Sequence, residues 1–405
     1  MKILQINTAD NRGGAAKIAF QLHTELKKAD HKMNMFVGRK YSNDPDVFIL
    51  NDTLSFSGKV RRKLAYWLAN DMDVFSSNHI LKTKEFKEAD IVHCHNLHSN
   101  YFNLGTLKKM AKLKPIVWTF HDMWPLTAHC AHSFDGKMKK TGFFACPSLE
   151  IYPPIAWHNE KYLENRKRNI YNSSQFHIVT VSQWLEQKVK QSLLGSKSIS
   201  TIYNGVDTSI FKPHSKEECR KKIGLPLDKK IVLSVIKGGL ANPWKGANYI
   251  TEIIKRLGNA DDILLVAIGR QEKAGNVLIV PYVQSSEILA QYYSAADIMI
   301  YPSIADTFGL VAAEAQACGL PVVSFATGGI PEIVNHQKTG YIARYKNVDD
   351  LITGIQWMLS RSSVEQTTMR QAAAAKIRSG FTLEKMADQY LNLYKKEVEN
   401  FNLVN

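Results

Sequence analysis

Short runs of β-branched and aliphatic residues recur at Lys2–Asn7, Met33–Val37, Ile91–His95, Ile116–His121 and Ile178–Val181, alternating with stretches whose apolar positions have helical spacing. Runs that are apolar throughout, rather than at every second position, suit strands buried on both faces. The rhythm therefore predicts a parallel sheet covered by helices. It pauses at Tyr203-Asn204-Gly205-Val206-Asp207 and the polar stretch to Leu225, then restarts at Ile231–Val235, Ile263–Ile268, Ile298–Tyr301, Pro321–Phe325 and Tyr341–Ala343. The expectation is an α/β protein with two doubly wound, Rossmann-like domains, residues 1–205 and 206–381. Residues 382–405 place Leu383, Met386, Ala387, Tyr390, Leu391, Tyr394 and Val398 at i, i+3, i+4 spacing behind Thr382, an amphipathic helix with one face to bury.

Composition agrees with two core-forming domains: 405 residues, 45% hydrophobic and 22% charged. Asp10 and Arg12 interrupt the apolar start, so no signal peptide is expected. No apolar run approaches the ~20 residues of a spanning helix. Five scattered cysteines, an odd number, point to a reducing, cytoplasmic setting. His129, Cys130, His132 and Cys146 depart from paired zinc-site spacings and are expected to be loop histidines and free thiols.

The net charge of +15 matters through its distribution. Residues 1–200 carry 29 Lys/Arg against 17 Asp/Glu, and residues 201–405 carry 23 against 20. A basic first half suits an anionic partner. Lys59, Arg61, Arg62 and Lys63 precede Leu64, Tyr66, Trp67 and Leu68, and Lys108, Lys109, Lys112 and Lys114 add charge to the same domain. Besides a solvated helix face, this pattern fits a helix lying on an anionic membrane surface, peripheral on the inner face of the cell membrane. No recognition motif or stacking platform accompanies these charges, which argues against nucleic acid.

Residues 297–340 carry the most chemistry. They read as strand Ile298–Tyr301, a loop, helix Leu310–Cys318, strand Pro321–Phe325 and a Gly328-Gly329 turn into another helix. Open parallel sheets bind ligands at the carboxyl ends of their strands, so the loop 302–309 lies at such a mouth. Gly309 permits close backbone approach, and the amides of Gly309, Leu310 and Val311 at the helix start suit a phosphate oxygen. Glu314, about one turn further in, suits the vicinal hydroxyls of a ribose. Asp306 can treat a hexose in the same way. A nucleotide diphosphate sugar has this set of groups.

Asp306, seven residues and Glu314, followed by Ala-x-Ala-Cys-Gly-x-Pro-Val-Val and Gly-Gly-x-Pro-Glu-Ile-Val, resembles the signature of retaining family 4 glycosyltransferases of the GT-B fold, in which two Rossmann-like domains face a cleft. The resemblance extends to Leu4–Gly14, Thr119–Pro125, Val179–Trp184, Asn204–Asp207 and Pro281–Ser303. It implies transfer of a hexose from a nucleotide diphosphate sugar, UDP favoured on frequency, to a glycan or lipid-linked glycan acceptor in surface polysaccharide biosynthesis. No metal or other cofactor is implied, the nucleotide sugar being a substrate. The first domain would bind the acceptor, and the final helix would cross back onto it.

The same resemblance assigns residues. Lys245 matches the family's phosphate lysine, and the arginine that usually accompanies it is missing, which leaves Lys237 for that part. Asp306 stands where the family has glutamate, one methylene shorter. His121, oriented by Asp122, matches a histidine that lies against the donor sugar; Gly13 and Gly14, in isolation only a tight turn, match a loop that approaches substrate without side chains. His93, His95 and His98 are expected to be structural or acceptor-side. Two other readings fit the missing arginine and Asp306 or share the fold: a nucleotide-sugar epimerase and a non-catalytic nucleotide-sugar-binding subunit.

Overall fold

The computed structural model describes residues 1–134, 136–235, 243–257, 261–269 and 277–404. The chain divides into two compact units, Met1–Tyr203 together with Glu384–Asn405, and Asn204–Leu383.

In the first unit seven strands form one sheet: β1 (Lys2–Ala9), β2 (Lys32–Arg39), β3 (Val47–Ile49), β4 (Ile91–Cys94), β5 (Ile116–Phe120), β6 (His177–Thr180) and β7 (Ile199–Thr201). All neighbours are parallel, in the order β3-β2-β1-β4-β5-β6-β7. The inner strands β4, β5 and β6 are buried at every position, the sign of helices on both faces. Order reverses between β1 and β4, and a crevice opens at such a switch point beyond the strand ends.

The second unit repeats the plan with β8 (Lys230–Val235), β9 (Ile263–Ile268), β10 (Val277–Val280), β11 (Ile298–Tyr301), β12 (Val322–Phe325) and β13 (Gly340–Ala343). The parallel order is β10-β9-β8-β11-β12-β13, with its switch point between β8 and β11. Ile250, Ile253 and Ile254 of helix Ala247–Leu257, with Leu351, Ile355 and Met358 of helix Val348–Leu359, pack over Val232, Leu265, Ile300 and Val323. This core fixes the strand ends from which the site loops spring.

The last helix, Leu383–Val404, belongs to the first unit from Glu384 onward. Its buried Tyr390 and Tyr394 reach the sheet: the Tyr390 hydroxyl meets Thr119 Oγ1 at 2.8 Å, and the Tyr394 hydroxyl meets His93 Nδ1 at 2.6 Å.

Cys130 and Cys146 are not free thiols but a disulfide, their Cα atoms 5.9 Å apart, within the usual span of such a bond. Cys94, Cys219 and Cys318 are free and buried. With two of five cysteines joined, thiol usage no longer argues for a reducing compartment. No helix among the described residues is long and apolar enough to cross a membrane.

Candidate functional site

In the second unit the loops after β8 and β11 flank the switch point and meet. Ile304 N donates to Trp244 O at 2.9 Å, and Ser303 Oγ to the same carbonyl at 3.3 Å. This stitching brings Lys245 to Asp306, Nζ to Oδ2 at 2.6 Å. The Tyr301 hydroxyl, at the end of β11, donates to the same oxygen at 2.6 Å, and Lys245 Nζ lies 3.2 Å from that hydroxyl.

The other oxygen of Asp306 accepts from Gly309 N at 2.9 Å and Phe308 N at 3.3 Å, capping helix Leu310–Ala317. Gly309 holds φ 95°, a left-handed conformation that favours glycine. A Cβ on Gly328 would fall 1.6 Å from the Asp306 carbonyl oxygen, so a side chain there would displace the loop.

Asp306 is thus occupied differently from expectation. In the free protein four donors take the roughly four lone-pair sites of its carboxylate, so it anchors Lys245 and the helix start, and a hexose would have to displace one of these donors. One of the three amides expected to hold phosphate, that of Gly309, is spent on this cap. Leu310 and Val311 stand at the first two helical positions, where an amide has no intrahelical acceptor.

Burial disfavours the Lys245 ammonium, yet the Asp306 charge and then Tyr301 outweigh it and hold the lysine above its ordinary pKa. Burial likewise disfavours the Asp306 carboxylate, and Lys245 with the surrounding donors holds it below its usual range. The pair is charged at neutral pH. Glu314 lies on the same helix and is 5% exposed. Lys237 and Arg270 lie outside the described residues.

In the first unit the loops after β1, β4 and β5 surround a cavity of about 330 Å³ at the switch point, lined by Arg12, Gly13, Gly14, Arg39, His98 and Asp122 among others. Gly13 has φ 110°, but Gly14, the first helical residue, would meet nothing within 4 Å if given a Cβ. No internal packing demands a glycine there, which favours a ligand as the reason. A Gly14→Ala protein should melt at the parent's temperature and turn over substrate at least several-fold more slowly. Equal turnover would return the glycine pair to a simple turn.

His121 does not line this cavity and is 8% exposed. Its Nε2 meets His95 Nδ1 at 2.9 Å. Asp122, expected to orient His121, sends its carboxylate elsewhere: Oδ2 to His98 Nε2 at 2.8 Å and Oδ1 to Trp124 N at 2.9 Å. Burial, only partly opposed by the nearby Asp122 charge, lowers the His121 pKa to about 4, so the ring is neutral at pH 7. His93 is held by Tyr394 and Thr119, which makes it structural.

Sequence reasoning missed Tyr301, which reads as one more apolar strand residue, and the cavity residues Arg12, Arg39 and Tyr152. Their only signal was position, at the ends of the strands or in the loops beyond them. The spacing Asp-x-Asp does occur, at Asp44-Pro45-Asp46 and Asp71-Met72-Asp73, with carboxylates turned to Lys27, Trp124 and Arg166. Among the described residues no group of three or more His, Cys, Asp or Glu could hold a metal ion.

Residues 12–210 match glycosyltransferase family 4, and residues 215–377 match the glycosyl transferases group 1 family. The chain is 31% identical to a D-inositol 3-phosphate glycosyltransferase of Mycobacteroides abscessus over 98% of its length and 88% of the relative's. The chain belongs to glycosyltransferase family 4. The enzyme of that name from Mycobacterium marinum is 26% identical, over 98% of this chain and 84% of its own.

Among solved structures, sucrose-phosphate synthase of Thermosynechococcus elongatus matches 97% of this chain and 98% of its own at a TM-score of 0.71 and 19% identity. Anabaena HepE in complex with UDP and glucose matches 98% and 99% at 0.66 and 16%. This family 4 transferase therefore has the two-domain α/β GT-B fold. The epimerase and binding-subunit readings give way to hexosyl transfer.

Proposed function

We propose that the protein transfers a hexose, with retention, from a nucleotide diphosphate sugar to a phosphate-bearing glycan or lipid-linked glycan. The observation that carries the donor half is the Lys245–Asp306–Tyr301 cluster at the switch point of the second sheet, beside the start of the Glu314 helix. Departure of the nucleoside diphosphate leaves negative charge. Lys245 and the amides of Leu310 and Val311 stabilise that charge more in the transition state than in the ground state. They supply the positive charge a divalent ion would otherwise bring, so no metal is given a part. Attack on the face the diphosphate leaves lets the leaving phosphate take the acceptor's proton, and no side chain acts as general base. The HepE complex favours UDP as the nucleotide.

The cavity of the first unit supports the acceptor half. Arg12, stacked on Tyr41 with its Cζ 4.3 Å from the ring centroid, and Arg39, donating to Thr53 Oγ1 at 3.0 Å, have no carboxylate partner among the described residues. Two unneutralised guanidinium groups suit a phosphate. The mycobacterial relatives, named for an inositol phosphate, agree in that chemistry. Incubation with labelled UDP-sugars and phosphorylated acceptors tests the whole: sugar transfer, or slow donor hydrolysis without acceptor, supports it. Bound but intact donor under both conditions overturns it.

Helix Phe56–Trp67 gives the membrane reading a shape. Phe56, Val60, Leu64 and Trp67 follow one another at helical spacing and are exposed by 85%, 52%, 48% and 60%, with exposed Lys59, Arg61 and Lys63 beside them. An anionic bilayer surface would cover the stripe and pair the charges, placing the enzyme at the inner face of the cell membrane. At about 1 kcal/mol per basic residue, three charges correspond to an affinity difference on the order of 100-fold between anionic and neutral vesicles. Sedimentation that ignores lipid charge removes this reading.

A further inference from the structure

The parallel ladder between β1 and β2 ends at the pair Ala9 and Arg39. Beyond it the two chains separate, one carrying Arg12 to the first-unit cavity and the other Tyr41. One residue joins them. Asp10 is fully buried, and its amide donates to Arg39 O at 3.4 Å. Its carboxylate reaches across the gap: Oδ2 accepts from Ser42 N at 2.7 Å and Tyr41 N at 3.0 Å, and Oδ1 accepts from Tyr41 N at 2.9 Å and Asn11 N at 2.9 Å. A ladder gives each amide a backbone carbonyl; past its end, a single side chain serves Tyr41 and Ser42 instead.

These bonds fix more than the backbone. Arg12 is exposed, on a long side chain that would lose much rotamer freedom on closing against a ligand. Its guanidinium lies over the Tyr41 ring, Cζ 4.3 Å from the centroid. Asp10 holds both ends of that stack, standing two residues before Arg12 and bonded to Tyr41 itself. The ring therefore stands against the guanidinium before any ligand arrives, and the arginine is ordered in folding rather than in binding.

We propose that Asp10 is a positioning residue for the acceptor's phosphate: by tying Tyr41 and Ser42 to the loop after β1, it sets the Tyr41 ring against Arg12 and holds that guanidinium at the wall of the cavity Arg39 also lines. The proposal rests on the reading of this cavity as a phosphate site. Asp10 itself touches no substrate, since it is buried with both oxygens on backbone amides. Only a carboxylate serves here. An asparagine has one accepting oxygen, and whichever way it turns, its NH₂ group faces Tyr41 N together with Ser42 N or Asn11 N, donor against donor.

Calorimetry of inorganic phosphate against the whole chain, with the donor site first saturated by UDP, reads this cavity directly. The parent should bind phosphate. Asp10→Asn and Arg12→Gln should each bind it about tenfold more weakly, the worth of roughly one hydrogen bond, while UDP affinity stays within about twofold. The double variant separates positioning from mere support: acting through Arg12, Asp10→Asn should add no more than about twofold to the loss in Arg12→Gln, whereas losses that multiply to about 100-fold overturn the proposal. Tyr41→Leu removes the ring and leaves every backbone bond to Asp10, so it tests the stack even where Asp10→Asn lowers the melting temperature. Phosphate binding about tenfold weaker is expected of it, and parental binding overturns the proposal. Parental phosphate affinity in a folded Asp10→Asn protein also refutes it, and leaves the phosphate site standing. A UDP-loaded parent that binds no phosphate removes the site and the proposal with it, a different result.

Discussion

Lys245→Ala is expected to lower kcat by about 10²- to 10³-fold, the cost of removing one preorganised charge from a developing anion. The structure says why the loss should fall on kcat. Before substrate arrives the Lys245 ammonium is already held at 2.6 Å from Asp306 and braced by Tyr301, so no reorganisation is needed when the diphosphate departs. The paired carboxylate also tempers its attraction for the ground-state donor, which reserves part of the lysine's strength for the extra charge of the transition state. The fold should survive, because Asp306 keeps the Tyr301 hydroxyl and the amides of Phe308 and Gly309 as donors. Lys245→Arg separates charge from geometry: a guanidinium keeps the charge but not the compact shape that fits against Tyr301, and an intermediate rate is expected. Steady-state rates with a titrated donor and a melting curve for each variant make the check, and a Lys245→Ala enzyme with parental kcat removes lysine from the reaction.

How far these features were legible follows from how local they are. The doubly wound order could be read because inner strands such as Ile116–Phe120 are buried on both faces and give unbroken apolar runs. Val47–Ile49, Ile199–Thr201 and Val277–Val280 escaped notice because they are short edge strands with partly exposed residues, which blurs the pattern. The run from Asp306 to Glu314 was legible as one contiguous motif.

Its internal wiring was not. Lys245 and Asp306 are 61 residues apart and meet only because β8 and β11 are neighbours, a pairing that parallel crossover topology creates and spacing does not. Spacing alone therefore presents each as a ligand contact, whereas in the free protein each holds the other. The same holds for His121, whose Nε2 meets His95 across the β4–β5 pair while the carboxylate of the adjacent Asp122 turns to His98 and Trp124. Sequence neighbours on a strand end point apart, and partners come from the next strand.

Glu314→Ala should weaken donor binding by about 10- to 150-fold, the loss of charged hydrogen bonds worth about 1.5–3 kcal/mol. Glu314, on the helix whose start Asp306 anchors, is the carboxylate we assign to a vicinal diol. A ribose pair of hydroxyls can donate to both of its oxygens, while a phosphate at the same place would be repelled; this puts the diphosphate toward the helix start and the nucleoside beyond it. Such contacts are present equally in the ground and transition states, so the change should appear in KM and in the calorimetric Kd of UDP, with kcat much less affected. That is the opposite signature to Lys245→Ala, and the two variants together test the division of labour along one loop and helix. Glu314→Gln, which keeps the shape and loses the charge, should fall between Ala and the parent. Because Glu314 is 5% exposed, its removal also leaves a buried gap, and the melting temperature of each variant must be compared before affinities are. A stable Glu314→Ala protein that binds UDP as tightly as the parent would place the nucleoside elsewhere.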